Sequence, residues 1–136
     1  MPRELVRAAA LYAGVPYSYA AIASAGTIFT AGACPLDQQG RLVAPDDIGG
    51  QIRHTLSNLF AALDAAGCGP EDVLKTTVYV VATNRAQLMT AWQAVEDVFG
   101  TDGPPSTLLG VSVLGWPGQL VEIEAVAEHR YLGETT

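Results

Sequence analysis

Val73-Leu74-Lys75-Thr76-Thr77-Val78-Tyr79-Val80-Val81 is rich in β-branched side chains and is flanked on both sides by runs of a different period. Its length and composition predict a well-buried strand. On its N-terminal side, Ile52, Leu56, Leu59, Phe60 and Leu63 fall at spacings of four, three, one and three, so they share one helical face. Asp46-Asp47 offers capping side chains before that helix, and Gly67 is its stop just beyond Ala66. On the C-terminal side, Asn84 can cap a second helix, with Gln87 three residues later as in a capping box. Leu88, Ala91, Trp92, Val95, Val98 and Phe99 then repeat at helical spacing, and Gly100 closes the element.

Farther out, residues 17–23 and 27–31 read as two strands around a turn at Ala25-Gly26. Residues 107–114 and 120–127 read as two more, joined by the loop Gly115-Trp116-Pro117-Gly118-Gln119. The predicted order is β-β-α-β-α-β-β, an α+β fold in which a mixed sheet carries two helices on one face. With 136 residues, the whole chain 1–136 is expected to form a single domain. The sheet's other face also needs cover, which a cyclic oligomer supplies. A hydrophobic fraction of 49% and a mean hydropathy of +0.24 agree with buried subunit contacts and exclude a disordered chain.

Seven Lys and Arg against fourteen Asp and Glu leave a net charge of −7, with the basic residues scattered singly. That field repels phosphate backbones, so nucleic acid is not the expected partner. Cys34 and Cys68 read as reduced thiols, with Cys34 placed after a strand and near a candidate pocket; neither they nor His54 and His129 fall in a metal-binding pattern. No metal or cofactor is expected. The uncharged stretch 8–36 is broken by Gly14, Pro16, Ser18 and Tyr19, which disfavours a signal peptide and a membrane span. A cytoplasmic location and no membrane partner are the expectations.

Phosphate-loop, dinucleotide and nucleophile-elbow motifs are lacking. What stands out is Val121-Glu122-Ile123-Glu124-Ala125, two carboxylates on one face of an otherwise apolar strand. A buried carboxylate without a partner costs several kcal/mol, so this face must meet solvent, a cation or a cleft. A solvated face is the plain reading of the composition alone.

Pro104-Pro105-Ser106-Thr107-Leu108-Leu109-Gly110-Val111-Ser112-Val113-Leu114, followed by Glu122-Ile123-Glu124-Ala125, resembles the C-terminal signature of the YjgF/RidA family of reactive-intermediate deaminases, once labelled endoribonuclease L-PSP. Pro16-Tyr17-Ser18, Gly32 with Pro35, Gln51, Asn58-Leu59, Ala65-Ala66-Gly67 and residues 71–79 extend the resemblance over nearly the whole chain. It implies a homotrimer of chorismate-mutase-like subunits with small-molecule clefts between them. It also implies hydrolysis of an imine or enamine to release ammonia, with Glu122 handling protons and water and Tyr17 orienting the substrate.

The family's Arg, which clamps a substrate carboxylate, is replaced by Ser106. Losing a charge-assisted bidentate contact removes about 1.5–3 kcal/mol per hydrogen bond. The expected substrate is therefore a reactive intermediate without the usual amino-acid carboxylate, processed by hydrolysis or tautomerisation. Ser106 is a candidate polar contact, and Thr107 either offers another or only begins a strand. Trp92 stands where deaminase members commonly carry Asn, but it also lies on the apolar face of its helix, where core packing is the favoured reading. Trp116 either overhangs the cleft or, as loop aromatics more commonly do, tucks against its own domain. Arg7 is a candidate replacement charge, and Arg53 or Arg130 a candidate partner for Glu124. The competing expectations are a non-catalytic small-molecule-binding trimer and, disfavoured by charge, RNA cleavage.

Overall fold

A computed structural model describes residues 3–129. Six strands form one sheet: β1 (Arg3–Val6), β2 (Ala20–Ala23), β3 (Thr27–Thr30), β4 (Val73–Val81), β5 (Ser106–Val111) and β6 (Val121–Glu128). Two helices, α1 (Ile48–Ala65) and α2 (Arg85–Phe99), pack together and against the sheet, with a single 3-10 turn at Pro70–Asp72 before β4. The strand order is β1-β2-β3-β6-β4-β5. Only β4 and β5 run parallel, because α2 connects them as a crossover; every other neighbouring pair is antiparallel. The molecule is an α+β single domain with a mixed sheet and two helices on one face.

The sequence expectation of five strands is corrected by one. Arg3–Val6 pairs with β2, although three of its four residues are exposed and it lacks any apolar alternation. The first expected strand is also shorter: residues 17–19 are irregular, and pairing begins at Ala20. The last two strands begin and end within a few residues of expectation.

Ile28, Ile52, Leu56, Leu59, Val78 and Ile123 are fully buried between the helices and the sheet. Asp47 caps α1 by accepting the Gly50 amide at 2.9 Å. Just past its end, Gly67 takes φ +90°, a left-handed conformation that a side chain disfavours. Asn84 caps α2 through the Gln87 amide at 3.0 Å. Gln87, however, reaches back one residue farther than a capping box requires and accepts the Thr83 amide at 2.7 Å. Replacing the cap, Asn84→Ala, is expected to lower stability by about 1 kcal/mol, read as an earlier urea midpoint at unchanged slope.

The face of the sheet away from the helices is uncovered in the protomer. Leu5, Ala21, Phe29 and Val126 are register partners across four strands and form an apolar row there. Leu109, Tyr79 and Glu122 form a second row on the same face. Among the described residues, no helix is long and apolar enough to cross a membrane.

Candidate functional site

Two polar side chains of α1, one half-buried and one wholly buried, shape the site before any reactive group is considered. Asn58 donates from Nδ2 to the carbonyls of Cys34 and Leu36, both at 2.8 Å. Gln51, wholly buried, donates to the Gly118 carbonyl at 3.2 Å and accepts the Leu120 amide at 2.8 Å. One helix thus pins the segment that follows β3 and the loop that precedes β6. A bridge between Ala33 and Ile123, with hydrogen bonds of 2.7 and 3.1 Å, brings the two segments together.

Glu122 sits where they meet. Its Oε1 accepts from the Cys34 thiol at 3.5 Å and from Gln119 Nε2 at 3.1 Å. Its Oε2 lies over Gly32, where a β-carbon would overlap the carboxylate. Gly32 is required here for close approach. Gly32→Ala is accordingly expected to push Glu122 off its position and break its contact with the Cys34 thiol; a changed carbon NMR shift of the Glu122 carboxyl in the variant checks it.

Tyr17 joins this cluster from the irregular segment before β2, with its backbone carbonyl held by Arg7 at 2.6 Å. Its hydroxyl is pushed up to about 12 by burial, then by the charges of Cys34, Tyr19 and Glu122, while the Trp116 indole N–H opposes the shift. The Cys34 thiol is pushed up to about 12 by burial first and the Glu122 carboxylate second. Both groups are therefore protonated donors at neutral pH. Tyr79 donates to Glu124 Oε1 at 2.6 Å, and that hydrogen bond, burial and the two carboxylates raise its hydroxyl to about 12. The ionisable neighbours that act on Tyr17, Cys34 and Tyr79 are all acids. Beneath Tyr17 and Cys34 lies a cavity of about 20 Å³, also lined by Tyr12, Tyr19 and Asn58, roughly enough for one water.

The structure brings Tyr17, Glu122 and Trp116 together. Trp116 packs edge-on against Tyr12, with ring centres 6.3 Å apart, and directs its indole N–H toward Tyr17 and Cys34. Ser106 is placed elsewhere. It is the register partner of Thr76, so both face the helices, and the two hydroxyls are hydrogen-bonded at 2.8 Å. Glu122 faces the opposite side of the same sheet. Trp92 is on the Ser106 side, half-buried against the core in a pocket of about 210 Å³ with Thr76, Phe99 and Pro104. Thr107, next in β5, turns to the Glu122 side and is the exposed partner of Thr77. Within one protomer, then, Ser106 and Trp92 do not reach the Glu122 cluster.

Arg7 spends its guanidinium on the carbonyls of Val15 and Tyr17. Glu124 is engaged by Tyr79, and Arg53 is exposed on α1; Arg130 lies outside the described residues. Among the described residues, no group of His, Cys, Asp and Glu is arranged to hold a metal ion. Sequence reasoning did not assign Gln119 or Cys34 to the Glu122 carboxylate. The one available signal was a polar residue closing a Gly- and Pro-bounded loop directly before the Glu-x-Glu strand.

Residues 7–129 match the protein-family description "Endoribonuclease L-PSP". A RutC family protein of Pyrococcus horikoshii is 37% identical over 112 residues, 82% of this chain and 86% of that one. A 2-iminobutanoate/2-iminopropanoate deaminase of Salmonella typhimurium is 32% identical over 105 residues, 76% of this chain and 80% of that one. Among solved structures, a Rid-family protein of unknown function from Yersinia pestis superposes with a TM-score of 0.81 at 30% identity, covering 93% of this chain and 98% of its own.

Proposed function

The chain belongs to the endoribonuclease L-PSP family, the YjgF/RidA group, and on that premise we propose that it is an imine or enamine deaminase whose substrate lacks the usual amino-acid carboxylate. The observation that carries this reading is the Glu122 carboxylate, fixed by neutral donors beside the Tyr17 hydroxyl. Glu122 takes a proton from water as the water oxygen bonds to the imine carbon and the C=N π pair moves to nitrogen. The same carboxyl returns that proton to the nitrogen of the resulting carbinolamine. Collapse of the carbinolamine to the ketone or aldehyde then releases ammonia. Tyr17 donates its hydroxyl to orient the substrate. Deaminase names among relatives such as the Salmonella protein support the reaction class, while a serine at position 106, neutral and too short to clamp a carboxylate, supports the altered substrate.

The working unit of this proposal is a homotrimer. Glu122 and Ser106 lie on opposite faces of one sheet, so one cleft receives both only if they come from different protomers. The neighbour then contributes Ser106, Thr107 and Trp92 to a small-molecule cleft roofed by Trp116. No nucleic acid or membrane partner is included, and a net charge of −7 disfavours RNA cleavage. Loss of the guanidinium at position 106 favours one alternative, a trimer that binds metabolites without turning them over. Ammonia release from imines generated in situ separates the two. Deamination by the wild type beyond the uncatalysed rate supports the enzyme, and ligand binding without acceleration supports the binder.

A further inference from the structure

We propose that Gln119 is a positioning residue that selects which oxygen of Glu122 does chemistry and ties that oxygen to the Trp116 loop. The inference rests on the reading of Glu122 as the acid/base and deepens it. Gln119 is 4% exposed. Its Oε1 accepts the Trp116 backbone N–H at 3.1 Å, and its Nε2 donates to the Val121 carbonyl at 2.9 Å and to Glu122 Oε1 at 3.1 Å. The amide orientation is fixed by these partners, because the reverse would set its oxygen against two acceptors and its NH2 against a donor. Gln51 holds the backbone on both sides of it, at Gly118 and Leu120. The bracket is therefore rigid.

The two oxygens of Glu122 become unequal as a result. Oε1 carries two donors, Gln119 and Cys34. Oε2 carries no hydrogen bond among the described residues and lies over Gly32, the position without a side chain. Hydrogen bonds to the charged form disfavour protonation at the atom that accepts them, so Oε2 is the oxygen that exchanges protons with water or substrate. The Gln119 amide also places the Trp116 indole, which points at Tyr17 and Cys34. A single side chain thus links the base to the loop whose indole faces the orienting group.

The titratable groups around Glu122 are Tyr17 from the segment before β2, Cys34 after β3, Tyr79 on β4 and Glu124 on β6. All four remain in the test variants. Gln119→Met keeps the length and donates nothing; Gln119→Glu keeps an acceptor for the Trp116 amide and puts a like charge where the donor was. The expected result is a kcat about tenfold lower or more at nearly constant KM in both variants, with Gln119→Glu the slower of the two. Two variants that lose stability yet keep the wild-type kcat would overturn the proposal. Should the wild type hydrolyse no imine, carbon NMR of the Glu122 carboxyl carries the test. A carboxyl chemical shift that moves in both Gln119→Met and Gln119→Glu upholds the positioning role even as the deaminase reading fails, and an unmoved shift overturns it.

Discussion

Glu122→Gln is expected to slow ammonia release by roughly 10²–10⁴-fold, the usual contribution of a positioned acid/base, while the protein stays folded. The substitution is nearly isosteric, and the partially exposed site tolerates it: the carboxamide oxygen it introduces can still accept from Gln119 and Cys34. What it removes is the proton acceptor and the negative charge. The charge has its own signature. Glu122 is the second cause, after burial, of the Cys34 thiol standing near 12 instead of 9.0. Removing an anion makes the thiolate less unfavourable, so the Cys34 titration moves down, though not to 9.0, because burial persists. Thiolate absorbance during alkaline titration, with Cys34→Ser as the blank, measures this independently of any substrate. Full activity in Glu122→Gln would remove Glu122 from the mechanism. An unmoved Cys34 titration would remove the contact itself.

The two kinds of information differ in how far they travel along the chain. β4, α1 and α2 were legible because their signals are local: β-branched density, apolar residues at helical spacing, and side-chain caps at Asp47 and Asn84. β1 was not legible, since a four-residue strand with three exposed positions owes its conformation to the β2 backbone rather than to its own pattern. Glu122 could be singled out because two carboxylates in an apolar strand are costly without a reason. Cys34 and Gln119 could not be tied to it. The Cys34 contact spans 88 positions, and the Gln119 contact depends on how a loop turns back onto its own strand. Ser106 shows the remaining limit. Its identity was plain, but which side of the sheet it faces follows from its register with Thr76, and register is set by the whole sheet.

Phe29→Asp is expected to convert the proposed trimer into folded monomers and to abolish the proposed turnover with it. Phe29 is 54% exposed in the protomer, as is Leu5, and Leu109 is 44% exposed on the same uncovered face. An aspartate there costs the isolated subunit little, so the circular dichroism spectrum should match the wild type. In a closed trimer the change occurs three times. Phe29 is already about half-covered within the protomer, so association adds only the remaining burial, about 0.8–1.6 kcal/mol per copy, or roughly 2–5 kcal/mol per assembly. That corresponds to roughly 10²–10³-fold in the association constant, before the added cost of confining three carboxylates. Sedimentation or light scattering reads the mass directly. The loss of activity is the more telling half: because Ser106 and Glu122 occupy opposite faces of one protomer, a dissociated subunit holds the base without the neighbour's half of the cleft. A monomeric Phe29→Asp that still released ammonia at the wild-type rate would show that one subunit is sufficient, and a wild type that is itself monomeric would remove the cleft altogether.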